Sequence, residues 1–376
     1  MMHPKKQRVH VIGGGVIGLS IAWELVRRGM EVTVLDEGEI GKGASWAGAG
    51  ILPAAATRPV ADPYERLKAR SHHLHPVWAE QLRRETGIDT GYRHCGGIHL
   101  AMTKAEAATL AGNQYWWHEL GIRHEALGAR ELVEAEPALA AAAEQMVGKA
   151  WLHPDESQLR NPRHLKALSL ACQQRGVRLL PGRAVHRLDV RAGRVHAVIT
   201  RDGEQLPTEV ACVCAGAWAR QFLLDLGFEN GLMPIRGQML LYRCPQPLLS
   251  RVVNVGHRYL VPRDDGYLLA GSIEEEVGYH CETTTEAIAQ LRQWAESLVP
   301  QLRHAELERS WAGLRPGSFD GFPYIGPVPG ADGAYVAAGH FRSGLHLSCA
   351  TAELLADAIE GKPCRIELTP FRVARG

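Results

Sequence analysis

The stretch RVHVIGGGVIGLSIAWELVRRGMEVTVLDEG, residues 8–38, decides the fold. Its first five residues, RVHVI, form a short β-branched run. GGGVIGLSIAWELVRRG then reads as an apolar-rich helix, with Gly29 just past its C-terminus. EVTVLDEG is a second buried strand, so the chain opens as a βαβ unit. Between the first strand and the helix, Gly13, Gly15 and Gly18 give the spacing G-x-G-x-x-G. Gly13 permits the tight turn, Gly15 lets backbone approach a pyrophosphate at the helix N-terminus, and Gly18 lets the helix pack closely on the sheet. Asp36, eighteen residues past Gly18, ends the second strand, where an acid hydrogen-bonds a ribose hydroxyl and disfavours a 2′-phosphate. The stretch therefore predicts a dinucleotide-binding turn for NAD or FAD.

Beyond it, positions 41–59 are rich in Gly and Ala and lack periodicity, as in a helix or loop packed closely on something. A helical pattern runs from Asp62 to about Thr86, with Pro63 in the first turn and Pro76 breaking the run. Thr103 and Glu106 make a capping-box pair, and Asn161 with Pro162 starts a helix that ends at Gly176. GVRLL, AVHRLDV, RVHAVIT and TEVACVC read as strands. LMPIRGQMLLYRC, RYLVPRDDGYLLAGS and AELERSWAGL read as antiparallel strands around turns such as Asp265-Gly266. A helix near 284–298, a strand GAYVAAG and a helix from about Gly344 to Glu360 complete the chain.

The βα units at the beginning, middle and end alternate with strand-rich stretches. This predicts an α/β fold with an α+β insert: a Rossmann-type nucleotide-binding lobe interleaved with an antiparallel-sheet lobe. The first lobe takes residues 1–80, 150–220 and 320–376, and the second takes 81–149 and 221–319.

Composition narrows the function. Lys plus Arg number 42 against 41 Asp plus Glu, with no long basic run, so a nucleic-acid footprint is missing. No run of 18 apolar residues suggests a membrane span, and the few residues before the first strand leave no room for a signal peptide. The eight cysteines are scattered without a CxxC pair, which suits a reducing cytoplasm. His72 and His75 stand three apart without a carboxylate or cysteine at ligand spacing, so a wet helix face is expected there and no metal. In WAGLRPGSFDGFPYIGPVP, residues 311–329, one arginine, Arg315, sits among Gly and Pro. The composition predicts a rigid irregular loop; its guanidinium either holds an anion or, as the segment alone favours, is a solvated arginine on an exposed turn.

GASWAGAGIL, CVCAGAWA, WAGLRPGSFDGFPYIGPVPG and AAGHFRSGLHLS follow one another in order. Through these motifs nearly the whole chain resembles the D-amino-acid-oxidase-type FAD-dependent oxidoreductases, and among them the glycine oxidases of thiamine biosynthesis. The resemblance implies an extended, non-covalent FAD, its pyrophosphate over Gly13–Gly18 with Val16 and Ile17 supplying N–H groups. It implies Asp36 and Glu37 at the adenosine ribose, Ala44 and Ser45 at the phosphates, and Val185 beside the adenine. Ala49, Gly50 and Ile51 then pass the flavin, and His340, Phe341, Ser343, Gly344 and Leu345 form its edge. The helix after Arg342 points its positive end at the flavin pyrimidine.

By the same resemblance Arg315 holds a substrate carboxylate through two parallel charge-assisted bonds. Arg342 is a second cation beside that carboxylate or shapes the flavin edge, and the Tyr259 hydroxyl reaches the substrate. No catalytic base is assigned; His257, His340 and Glu274 only stand near the motifs, and IEEEVGY, residues 273–279, is expected to be a solvated acidic turn, the alternative being that Glu274 points inward at the pocket rim and disfavours acidic substrates. Where relatives carry Asn, a small apolar residue and Ala-Pro after the arginine, this chain has Ser343, His346, Ser348 and Cys349.

The implied reaction is oxidative deamination of glycine, sarcosine or D-alanine, with oxygen as acceptor and hydrogen peroxide as product. A dehydrogenase with another acceptor, or a flavin-binding protein without turnover, are the alternatives. The implied partners are a small amine and oxygen, neither nucleic acid nor a membrane; a homo-oligomer is allowed.

Overall fold

The computed structural model describes residues 7–375. Its six-stranded sheet runs in the order Tyr324–Pro327, Ala334–Ala338, Val210–Val213, Arg8–Ile12, Glu31–Leu35 and Arg178–Leu180. All neighbours are parallel except the first pair. The opening βαβ unit thus lies at the centre of the sheet, as its buried strands require. Helices Val16–Arg27, Pro63–Thr86, Asn161–Gln174 and Gly344–Ile359 pack together around a core that holds Leu19, Trp23, Trp78 and Leu355. Trp23 and Trp78 meet edge to face at 4.7 Å.

The helix Pro63–Thr86 does not break at Pro76 but runs through it. An internal Pro costs about 3 kcal/mol. This helix buries Leu67, Ser71, Leu74, His75, Trp78 and Leu82 along one side, and that packing outweighs the lost bond. The same packing overturns the expected wet face: His75 is 1% exposed and stacks on His346 of the C-terminal helix. Asp62 caps the helix by accepting from the N–H groups of Tyr64 and Glu65. The capping box forms at Thr103 and Glu106. Asn161 opens its helix without capping it; its Nδ2 donates instead to the carbonyl of Ser45 at 2.7 Å.

The eight-stranded sheet has the order Glu306–Gly317, Met233–Arg243, Tyr267–Gly271, Arg258–Pro262, Val252–Val255, Gly97–Leu100, Ala150–His153 and Glu125–Leu127. Strand Ala150–His153 belongs here, so the segment drawn to end at 149 continues through 153.

Arg315 lies on the strand Glu306–Gly317, not on an irregular loop. This strand is the edge of the sheet, and Pro316 pairs opposite Pro234. The neighbouring strand Tyr267–Gly271 joins Met233–Arg243 only from Met239 onward, so it asks nothing of Pro234. An edge tolerates the missing donors that a central strand would not. No helix among the described residues is long and apolar enough to cross a membrane.

Candidate active site

A cleft of about 740 Å³ runs from the glycine-rich turn to Arg315. Every site residue anticipated from the sequence lines it except Gly18. Gly18 lies behind the turn, where a Cβ would fall 1.9 Å from the Gly13 carbonyl oxygen. Gly13 has φ +104, and a Cβ there would lie 2.4 Å from the Cys214 carbonyl oxygen. Helix Val16–Arg27 starts at Gly15 with no capping side chain of its own, and the Val16 N–H donates to Ser45 Oγ at 2.9 Å. Asp36 braces the turn: its two carboxylate oxygens accept from the N–H groups of Gly14 at 2.7 Å and Gly38 at 2.8 Å. Glu37 pairs with Arg201 at 2.9 Å, and both side chains are exposed.

The Gly/Ala run forms the cleft's middle. Ala44–Ala47 makes one short helical turn, and Gly50, at φ +80, passes so close to the Leu159 carbonyl oxygen that a Cβ would lie 2.0 Å from it. Arg263, which sequence reasoning passed over, clamps this run. It is buried and donates to the carbonyls of Ala49 at 2.6 Å and Leu159 at 3.0 Å and to Gln158 Oε1 at 2.6 Å. Burial pushes its guanidinium down to about 9, so it stays protonated at neutral pH. No motif marks it, because its acceptors lie about a hundred residues or more away.

At the far end, Arg315 donates to Ser272 Oγ and, at 3.1 Å, to the Ile273 carbonyl. Among the described residues no carboxylate pairs with it. Tyr259 is buried, and its hydroxyl meets the Met239 sulfur at 3.5 Å, a weak acceptor. Arg342 donates to Glu274 Oε1 at 2.6 Å and to the His257 carbonyl at 3.0 Å. Glu274 lies in an exposed, irregular acidic segment, as expected, but its carboxylate is engaged in an ion pair with Arg342. His257 and Glu274 line an adjoining cavity of about 1310 Å³ and not the cleft itself.

His340 lines the cleft and bonds Thr351 Oγ1 at 3.1 Å; burial lowers it to about 3, which keeps the ring neutral. Phe341, next to it, takes the left-handed φ of 47°, a strained state that favours cleft edges. Helix Gly344–Ile359 begins beside it, again with no capping side chain.

Two helix N-termini without caps thus face one elongated cleft, so its ends favour negative groups. The backbone between them is bare where a Cβ could not fit, and the buried Asn161 Oδ1 beside it has no partner. These features fit FAD, a long dinucleotide with a flat ring system.

A mostly parallel nucleotide-binding sheet, a second sheet that is antiparallel except where Val252–Val255 meets Gly97–Leu100, and a shared cleft of this kind define a dinucleotide-dependent oxidoreductase. The chain belongs to the DAO family of FAD dependent oxidoreductases, whose pattern it matches over residues 8–358. It is 36% identical to a glycine oxidase of Pseudomonas aeruginosa over 98% of this chain and 99% of that one. It is 34% identical to a glycine oxidase of Geobacillus kaustophilus, over 98% of this chain and 96% of the other. A crystal structure of glycine oxidase from Geobacillus kaustophilus superimposes with a TM-score of 0.92 at 33% identity, covering 99% of this chain and 100% of that one.

Proposed function

We propose that the protein oxidises glycine and similarly small amines such as sarcosine and D-alanine, with FAD as cofactor. The observation that carries this reading is Arg315, a guanidinium in the cleft whose partners are a hydroxyl and a carbonyl and never a carboxylate. Such a group binds a carboxylate with two charge-assisted bonds and fixes the adjoining Cα in place. FAD, when bound, supplies the two-electron acceptor for the Cα–H of the amine.

Residues 7–80, 154–220 and 320–375 form the FAD lobe in this reading, and 81–153 with 221–319 form the substrate lobe. The backbone of Gly13–Gly18 holds the pyrophosphate, with Ser45 steadying the helix end. Ala49–Ile51 and His340–Leu345 enclose the flavin. Tyr259 narrows the space beside Arg315, so that small side chains fit. Neutral His340 adds no positive charge to the cleft. The imine product meets water and yields the 2-oxo acid with ammonia, or with methylamine when sarcosine is the substrate; oxygen takes up the electrons as hydrogen peroxide. The product would feed thiazole formation in thiamine synthesis. The eight free cysteines support a reducing, cytoplasmic setting.

Purified yellow protein mixed with glycine without oxygen tests the reading. Loss of the visible flavin band, with recovery and peroxide on admitting air, is the expected result. An unbleached band with glycine, sarcosine and D-alanine would remove the function.

A further inference from the structure

We propose that Glu274 makes the site selective for amines carrying one carboxylate, because from the adjoining cavity it pairs with Arg342, which lines the cleft, and so withholds that cation from a second carboxylate. The proposal rests on the reading that Arg315 holds the substrate carboxylate. Both Arg315 and Arg342 line the cleft near Tyr259, and the Arg342 guanidinium lies 6.0 Å from the Tyr259 ring centre.

One short segment, residues 272–274, serves both arginines differently. Ser272 and Ile273 offer Arg315 a hydroxyl and a carbonyl, which leave its charge available. Glu274 offers Arg342 a carboxylate at 2.6 Å, which neutralises it. The next residue holds the segment in place. Glu275 accepts from Arg236 Nε at 2.8 Å and Gln238 Nε2 at 3.0 Å, and its backbone bridges to Arg236.

The pair is partly exposed, 31% for Arg342 and 30% for Glu274, so it adds little to stability. Its effect is on charge. At its Tyr259 end the cleft presents Arg315, which has no carboxylate partner among the described residues, and Arg342, which is paired, and this matches a monocarboxylate. An N-carboxymethyl derivative of glycine brings a second carboxylate, which meets an occupied guanidinium beside a like charge. Specificity gained through such a repulsive element needs no added contact to the favoured substrate.

The test uses the FAD-loaded wild type and its Glu274→Gln, Glu274→Ser and Glu274→Asp variants. Binding of acetate and malonate is read from the flavin spectrum, and anaerobic flavin reduction is timed with sarcosine and iminodiacetate. Both charge-free variants should raise the malonate-to-acetate affinity ratio by about tenfold or more. The iminodiacetate-to-sarcosine rate ratio should rise with it. The Asp variant should keep the wild-type ratios, and adding Arg342→Gln to Glu274→Gln should abolish the gain. Unchanged ratios in the charge-free variants, or an equal rise in the Asp variant, would overturn the proposal. If no amine bleaches the wild type, the oxidase reading fails, and the malonate-to-acetate ratio still decides the role of Glu274.

Discussion

Gly237 and Arg315 are in contact across paired strands: a Cβ on Gly237 would lie 2.3 Å from Arg315 Nη2 and 2.4 Å from Nη1. The guanidinium thus rests against backbone that glycine leaves bare. In Gly237→Ala the group to move is the end of a flexible side chain and not backbone. The variant should keep FAD and melt as the wild type does, within about 1 kcal/mol. Its KM for glycine should rise by about tenfold or more, because a displaced guanidinium mispositions the carboxylate. Kinetics beside a melting curve check this; a lowered melting point with an unchanged KM would contradict it.

Gly18→Ala behaves otherwise. Its Cβ would meet the Gly13 carbonyl oxygen at 1.9 Å, backbone against backbone, so the turn itself must deform. Overpacking of this kind costs about 1–3 kcal/mol. The protein should purify with much less than one FAD per chain, read as the ratio of flavin to protein absorbance. Gly112, inside the exposed helix Lys104–Leu120, has nothing within 4 Å of its Cβ position. Gly112→Ala should keep its FAD and gain about 0.5–1 kcal/mol.

The glycine turn, the βαβ opening and the capping box were legible because each depends on residues a few positions apart. What the sequence hid depends on neighbours far along the chain. Arg315 reads as a loop residue until its strand is known to be a sheet edge, where Pro316 costs little. His75 reads as solvent-facing until the C-terminal helix, some 270 residues on, covers it; Pro76 stays on the exposed side of a helix held by that packing. Glu274 finds Arg342 68 residues away, and Arg263 reaches Ala49 across 214; no local pattern encodes either meeting.

Arg263 should prove necessary for FAD retention although it does not line the cleft. Its removal leaves three buried acceptors unpaired, each costing about 1–3 kcal/mol. Arg263→Met should lower the melting point and weaken FAD binding, measured by fluorescence of released flavin. Wild-type FAD affinity in a folded Arg263→Met would remove the clamp.

Acid should destabilise the fold below neutrality. Burial lowers His164 and His340 to about 3, and His75 and His10 to about 4. Unfolded histidines titrate near 6.5, so below that pH the unfolded chain binds protons that the folded chain refuses. The contribution to stability is complete above about 6.5 and falls as pH drops toward 4, by up to about 1.4 kcal/mol per pH unit for each group. Neither ring nitrogen of His164 has a partner. Melting points of His164→Leu should therefore decline less steeply than the wild type between pH 6.5 and 4, whereas parallel curves would rule out His164 as a contributor.

Whether Arg315 holds the substrate is tested most directly by mixing FAD-loaded wild type and Arg315→Ala with glycine under anaerobic conditions and timing the loss of the flavin band. The wild type should bleach, and the variant should keep its yellow colour and react more slowly by the equivalent of about 2–5 kcal/mol. Equal bleaching rates in the two proteins would contradict the assignment of Arg315 as the carboxylate clamp.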